Sequence, residues 1–253
     1  MNTIGLYTLV KKEVGRFANV YLQTVIAPVI TSLLFFCVFA LAFGGANRVI
    51  SDMPYLEFLA PGLIMMTMVQ NAFANTSSSI IIAKVQGNIV DVLMPPLSSF
   101  ELFTGYLAGG ILRGLIIGFV GGLILSFFVN MPFENVPLVI AFSVLGTALL
   151  SSLGILGGMW AEKFDHLAAI TNFLVTPLTF LSGTFYSIRQ LPDFWENLAH
   201  YNPFFYMIDG FRAGVIGYAE TDIGTGLIVL FFANIFLFAM GLWLIQSGYK
   251  IKS

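Results

Sequence analysis

Long apolar stretches separated by short polar connections dominate the pattern of this 253-residue chain. A helix that crosses a membrane needs about 20 consecutive, mainly apolar residues. Six stretches are of about this length, and they predict transmembrane helices at residues 21–44, 58–83, 106–129, 136–160, 167–186 and 224–246. The expected fold class is therefore all-α, a polytopic membrane protein whose residues 1–253 form a single transmembrane domain.

The second stretch differs from the others because polar side chains interrupt it, among them Gln70, Asn71, Asn75 and Ser78. Polar groups at membrane depth generally face protein or a water-filled cavity. These four residues are candidates for lining a translocation path. The alternative, which the sequence leaves open, is that they only form hydrogen bonds between helices.

The third stretch carries glycine at every fourth position, at Gly110, Gly114, Gly118 and Gly122. This spacing places a smooth strip on one helix face and predicts the close approach of another helix. Arg113 lies in the same stretch, about seven residues from its start. It is either an anchor that reaches the membrane surface or a contact for a neighbouring helix or an anionic lipid.

Residues 1–19 precede the first apolar stretch and predict an amphipathic helix lying in the membrane interface. Its expected apolar side, at steps of three and four, consists of Ile4, Tyr7, Val10, Val14 and Phe17. Three basic residues fall off that side and are expected near lipid headgroups: Lys11, Lys12 and Arg16. The apolar stretch that follows is too long for a signal peptide, so we expect it to be retained.

Basic residues predict the orientation, because cytoplasmic segments carry an excess of Lys and Arg. If both termini are cytoplasmic, the larger group of basic residues lies on the cytoplasmic side: Lys11, Lys12, Arg16, Lys84, Lys163, Lys250 and Lys252. The same orientation places a smaller group outside: Arg48, Arg189 and Arg212. Both termini are therefore predicted to be cytoplasmic.

The cytoplasmic connection at residues 84–105 contains apolar residues at helical spacing, Ile89, Val92 and Leu93, followed by Pro95 and Pro96. Proline ends a helix, so this pattern predicts a short helix between two spans. It is suited either to transmit motion from a partner or to lie on lipid.

The outer connection at residues 187–212 concentrates charged residues and prolines in an otherwise apolar chain. Leu191 and Pro192 predict the start of one short helix, and Asn202 and Pro203 its end and the start of a second. Non-spanning helices at membrane depth must be buried in protein, which favours a re-entrant pair over an exposed loop. Within it, Arg212 is expected to pair with Asp209.

Composition excludes several functions. With 58% hydrophobic residues, 9% charged residues and a net charge of -2, the chain has no basic surface for nucleic acid. Cys37 is its only cysteine, and His166 and His200 its only histidines, so we predict no metal site. An intramembrane serine hydrolase built on Ser182 and His200 is a weak alternative, and no other catalytic residues are predicted.

The energy source for transport is not evident in the sequence. No G-x-x-x-x-G-K-[ST] loop occurs, so no cofactor-binding residues are expected in this chain. All acidic residues fall in predicted connections or at span edges, unlike the buried carboxylates of ion-driven carriers. The protein is expected either to obtain energy from a partner or to be a passive channel or carrier.

Three sequence segments resemble the ABC-2 type transporter permeases, the membrane subunits of bacterial ATP-driven exporters. They are FLAPGLIMMTMV at the second span, VLMPPLSSFEL in the connection that follows, and FLSGTFYSIRQLP with YNPFFYMIDGFR before the last span. Together with the order of spans, the similarity extends over nearly the whole chain. It is greatest to the inner membrane transport and multidrug efflux permeases.

The resemblance implies a homodimer in the bacterial inner membrane, paired with two separate ATPase subunits that bind ATP and Mg. It implies a cargo that is lipid-like, drug-like or a glycan. It assigns the ATPase-coupling helix to Asn88, Ile89, Asp91, Val92, Leu93, Pro95 and Pro96. From the matched segments, the expected outer gate comprises Ser182, Gly183, Phe185, Pro192, Asn202, Pro203 and Arg212.

Overall fold

The computed structural model describes residues 2–43, 49–50 and 53–248, without the side chains of Val92 and Leu93. Arg48, Lys250 and Lys252, which contribute to the predicted orientation, lie outside this part. The helices in chain order are α1 (Thr3–Ala18), α2 (Ala27–Phe43), α3 (Tyr55–Val85), α4 (Ile89–Leu93), α5 (Ser99–Leu125), α6 (Val136–Trp160), α7 (Phe164–Ile170), α8 (Thr176–Phe180), α9 (Asp193–His200), α10 (Pro203–Ile216) and α11 (Ile223–Ser247). π-helical turns at Leu22–Ile26 and Thr171–Val175 lead into α2 and α8, and a 3₁₀ turn covers Ile188–Gln190. Strands β1 (Val49–Ile50) and β2 (Met53–Pro54) pair antiparallel before α3.

Five helices of the described part are long and apolar enough to cross a membrane: Leu22–Phe43, Tyr55–Val85, Ser99–Leu125, Val136–Trp160 and Ile223–Ser247. They coincide with five of the six predicted stretches. The protein is thus an all-α, polytopic membrane protein.

The remaining predicted stretch, 167–186, forms a shorter helical segment made of α7, a π-helical turn and α8. It ends at Phe180, earlier than predicted, because the chain turns at Leu181 and Ser182 into Gly183. Gly183 has φ +70, a left-handed conformation that glycine adopts without strain.

Helix α3 lies at the centre of the molecule. It packs against α2, α5, α6 and α10, and 72% of its most apolar window is buried, compared with 17% for α11. The polar second stretch was predicted to prefer protein neighbours to lipid, and this prediction is confirmed.

The glycine strip of α5 brings it against α3 and α6. A Cβ atom added at Gly110 would collide with Ser151, and one at Gly118 would collide with Met68. At Gly114 the added atom would lie 2.6 Å from Cγ2 of Thr147. The predicted close approach is confirmed at these three positions, whereas the nearest atom to a Cβ at Gly122 is 3.9 Å away.

Helix α1 forms where predicted, but its buried residues differ from the expected apolar side. Leu9, Glu13 and Phe17 are buried, whereas Ile4 and Tyr7 are exposed. The reason is that α1 packs against α5, where Gly109 leaves room for Glu13. A Cβ atom added at Gly109 would lie 2.6 Å from the Cβ atom of Glu13. Ile4 and Tyr7, on the expected apolar side, stay exposed on the protein surface, and the placement of α1 in the membrane interface stays a prediction.

Candidate functional site

The polar side chains of α3 are held by arginines from two neighbouring helices. Arg16 of α1 donates through Nη2 to Oδ1 of Asn75 at 2.9 Å and through Nη1 to Oγ of Ser78 at 3.3 Å. Arg113 of α5 donates through Nη2 to Oδ1 of Asn71 at 2.8 Å. Of the two roles left open for Arg113, the structure supports the contact with a neighbouring helix. The sequence expectation that Arg16 faces lipid headgroups was wrong.

Gln70 and Ser78 line a cavity of about 240 Å³ between α3 and the α7–α8 segment. Thr171 and Thr176 contribute hydroxyl groups from the opposite side. Asn75 is fully buried and is not among the lining residues. Of the four predicted path residues, Gln70 and Ser78 reach a cavity. Arginines hold Asn71, Asn75 and Ser78, so Ser78 does both.

Glu13 is a buried carboxylate that the sequence placed in a surface helix. Its Oε2 accepts from Nη2 of Arg16 at 3.2 Å, and its Oε1 accepts from Oγ of Ser79 at 2.7 Å. The earlier inference that every acidic residue lies in a connection or at a span edge missed this contact. A possible signal was the pair Gly105 and Gly109, which permits the close approach of α1.

The predicted cytoplasmic helix is present as α4, and two apolar side chains near it are exposed. Val90 is 56% exposed and Met94 is 75% exposed. Asn88 precedes the helix and Asp91 is exposed on it, while Ile89 packs partly against the core. Exposed apolar residues at a loop between spans are typical of a surface that contacts a partner or lipid.

The end of this loop is fixed firmly to α5 and α1. After Pro95 and Pro96, Ser98 begins α5 through a capping box, in which the backbone N–H of Ser98 donates to Oε2 of Glu101 at 2.7 Å. The backbone N–H of Asn2 donates to Oε1 of the same carboxylate. A displacement of the loop would therefore be transmitted to both helices.

Arg212 of α10 is fully buried and joins the Gly183 turn, the start of α3 and its own helix. Its Nη2 donates to the Gly183 carbonyl at 2.8 Å, and its Nε donates to the Phe58 carbonyl at 3.2 Å. Its guanidinium carbon lies 3.7 Å from the centre of the Phe58 ring, a cation–π contact. The predicted pair with Asp209 is present at 3.9 Å.

The turn after α8 packs beneath this arginine. Ser182 is buried and donates its hydroxyl to the Thr179 carbonyl. Phe185 stacks on Phe39 of α2 at 4.8 Å between ring centres, and its carbonyl accepts from the Tyr55 hydroxyl at 3.1 Å. The turn is thus held by α2 and α3 as well as by Arg212.

The two short helices predicted at 191–203 are present as α9 and α10. Pro192 precedes α9, and Pro203 is the first residue of α10. Between them, Asn202 caps α10 by accepting from the backbone N–H of Phe204 at 3.0 Å, and donates to the Leu178 carbonyl at 2.8 Å. The predicted break at Asn202 and Pro203 is confirmed.

Two acidic side chains hold the α10–α11 connection, and their contacts were not predicted from the sequence. Asp209 accepts from the backbone N–H of Glu220 at 2.8 Å and from that of Thr221 at 3.0 Å. Oε2 of Glu220 accepts from the backbone N–H of Ile188 at 3.0 Å, whereas its Oε1 is buried without a hydrogen-bond partner. Burial raises the pKa of Glu220 above its usual value, while hydrogen bonds and the charge of Arg212 oppose the shift.

Of the expected outer-gate residues, those of the Gly183 turn lie beside Arg212, and Asn202 with Pro203 forms the α9–α10 junction. Pro192 lies at the opposite end of α9. The geometry does not support the weak alternative of a serine hydrolase. The Ser182 hydroxyl is engaged by Thr179 and by Thr184, at 3.1 Å from the latter. The His200 ring packs on Phe205, at 5.5 Å between ring centres.

The fold and these sites define a helical, multi-pass membrane protein with a polar, buried central helix and a short exposed helix between two spans. The sequence model of the ABC-2 type transporter family matches residues 5–216, and the chain belongs to this family.

The similarity to related proteins extends over most of this chain. It is 38% identical over 252 residues to the Inner membrane transport permease YadH of Escherichia coli K12, covering 99% of this chain and 98% of that protein. It is 24% identical over 230 residues to Nodulation protein J of Sinorhizobium fredii, covering 88% of this chain and 82% of that protein.

Proposed function

We propose that this protein is the membrane-spanning subunit of an ATP-driven exporter in the bacterial inner membrane. Two copies would assemble with two separate ATPase subunits, which bind ATP and Mg. Alternating access driven by the ATPase would move a lipid-like, drug-like or glycan cargo. Family membership and the similarity to an inner membrane transport permease support this function.

The observation that supports an ATPase partner is the exposure of two apolar side chains, Val90 in α4 and Met94 directly after it. This short helix joins the ends of two membrane-crossing helices, α3 and α5. A partner that covers Val90 and Met94 would therefore push on both spans at once. In this proposal, the docking surface comprises residues Asn88 to Pro96.

The proposed arrangement in the membrane has six spans and cytoplasmic termini. The α7–α8 segment is the remaining span, completed by the residues that follow Phe180. In the outer leaflet, α9 and α10 form a re-entrant pair, which is supported by the burial of α10 against α3, α6 and α11. Helix α1 lies at the cytoplasmic interface.

The proposed path runs between the two copies along α3. Gln70 and Ser78 are its polar lining, because they reach the cavity beside α7–α8. Asn71 and Asn75 stand behind them, held by Arg113 and Arg16. The Arg212 region closes the outer end as the gate.

A charge at Val90 tests the docking surface. Val90→Glu leaves a carboxylate where an apolar contact with the ATPase is expected, and an unpaired buried charge is costly. We expect the apparent affinity for the ATPase to fall at least about tenfold, with loss of ATP-driven transport. Binding is measured by titrating purified ATPase onto the protein in lipid nanodiscs.

Val49→Glu is the matched control, since Val49 is 55% exposed and lies beyond the opposite end of α3. It should leave ATPase affinity unchanged. Equal affinities for Val90→Glu, Val49→Glu and the unmodified protein would refute the docking surface. Absence of ATPase binding by all three would favour a channel or carrier that works without an ATPase.

A further inference from the structure

A second and larger cavity, of about 610 Å³, lies between α1, the end of α3 and the loop that contains α4. Its size is that of a typical small-molecule site. Apolar side chains form much of its wall, including Leu9, Ile82, Ala83 and Leu97. We call it the α1 cavity.

Positive charge is concentrated at the end of the α1 cavity nearest the middle of α3. Lys12 and Arg16 line the cavity beside Ser79. Glu13 neutralises only one of them, because its carboxylate contacts Nη2 of Arg16 at 3.2 Å and Nζ of Lys12 at 3.7 Å. Asp91, on the loop, is an acidic group at the other end of the cavity wall.

Close to Lys12 and Arg16, but outside the cavity wall, three further donors lack acceptors among the described residues. Arg113 adds another positive charge, and its Nε is buried without a hydrogen-bond partner. Nδ2 of Asn75 and the hydroxyl of Tyr106 are likewise buried and unpartnered, and Nζ of Lys12 lies 5.9 Å from the centre of the Tyr106 ring. The three basic side chains outnumber the Glu13 carboxylate, and this excess of positive charge favours an anion at this end of the cavity.

We infer that the α1 cavity binds an amphipathic anion, a molecule with an apolar body and a single phosphate or carboxylate group. The anionic group lies beside Lys12 and Arg16, away from Asp91, and the apolar body packs against Leu9 and Ala83. Apolar walls with a few convergent polar groups are the usual features of such a site. That this ligand is the cargo, taken up from the cytoplasmic side, rests on the proposed transport function. That the α1 cavity binds it does not depend on that function.

Photolabelling of the full chain in phosphatidylcholine nanodiscs tests the site without an ATPase. The probe is dodecyl phosphate carrying a diazirine, and labelled residues are mapped by mass spectrometry. We expect labels in residues 5–16 and 79–86, competed by dodecyl phosphate but not by dodecanol or inorganic phosphate at the same concentration. Competition by inorganic phosphate alone would indicate a simple anion site, and equal competition by dodecanol would indicate an uncharged groove. Either result would overturn the inference.

Two neighbouring lysines provide a matched pair. Lys12→Gln should weaken labelling roughly fivefold, the effect of one basic residue near an anionic group. Both lysines are exposed, but Lys11 does not line the cavity, so Lys11→Gln should leave labelling unchanged. Thr8→Trp, which fills the cavity from its exposed side, should abolish the label. Equal losses of labelling for the two lysine variants would show that basic residues attract the probe to the surface in general, and would contradict the site. This outcome can be read whether or not the Thr8→Trp protein assembles.

Discussion

At the residue scale, a single side chain, Arg212, contacts several segments of the proposed outer gate. It contacts the Gly183 turn, the start of α3 and Asp209 of its own helix. A Cβ added at Gly62 of α3 would lie 2.8 Å from the Thr184 carbonyl and 3.3 Å from Nη2 of Arg212, so glycine is required for this approach. The guanidinium is the only side-chain group with enough donors in a planar fork to serve these partners together.

Removing the guanidinium should destabilise the protein strongly. Arg212→Met leaves Asp209 buried without its cation and two carbonyls without a donor, and we expect unfolding to be easier by about 3–5 kcal/mol. Arg189→Met is the control, because Arg189 is exposed and donates only to the Glu220 carbonyl at 2.8 Å. Its effect should stay below about 1 kcal/mol. Unfolding in mixed micelles measures both variants, and equal effects would contradict the central position of Arg212.

Glu220 should make stability depend on pH. Because burial raises its pKa in the folded protein, its contribution is complete below the usual carboxyl pKa and is lost as pH rises through the folded value. Glu220→Gln cannot ionise, so the variant should gain stability relative to the unmodified protein as pH increases from about 4.5 to 7.5. Thermal unfolding across this range measures the difference. A difference that is constant with pH, or reversed in sign, would contradict a raised pKa.

At the element scale, helix α5 shows how small residues organise the molecule. Gly110 and Gly114 face Ser151 and Thr147 of α6, and Gly118 faces Met68 of α3. These contacts let three helices approach closely where large side chains would hold them apart. The glycine strip therefore fixes the position of the polar face of α3.

Two glycines of α5 allow the effect of packing on stability to be separated from the effect of helix propensity. Gly110→Ala places a methyl group against Ser151 and Thr76, and overpacking should cost about 1–3 kcal/mol. At Gly121→Ala the added group meets no atom of the described residues within 4 Å outside its own helix turn, so the change should be neutral or slightly stabilising. The apparent Tm of both variants in detergent tests this. A Gly110→Ala protein as stable as Gly121→Ala would rule out tight packing at the strip.

Hydrophobic length and helix-breaking residues were sufficient to predict most of these elements. The bounds of α6 coincide with the predicted 136–160, and Asn202 with Pro203 predicted the break between α9 and α10. The partners of charged residues were not predictable in the same way. Glu13 and Arg16 fit a surface helix by their period, and only the three-dimensional packing of α1 reveals that Glu13 is buried and that Arg16 contacts α3.

At the scale of the whole molecule, α3 connects the two proposed working ends. With 31 residues it is about 46 Å long, more than the thickness of the hydrocarbon core. Its start contacts Arg212 in the outer region, and its end leads into the loop that carries α4. In the proposed mechanism, this central helix would transmit a push at the loop to the proposed outer gate.

The composition of the complex purified from native membranes tests the central claim most directly. Native mass spectrometry of the tagged chain should show two copies of this protein with two copies of a second protein that contains a G-x-x-x-x-G-K-[ST] loop, and this complex should hydrolyse ATP. A single copy, or a dimer that transports its cargo without any nucleotide-binding protein, would contradict the account.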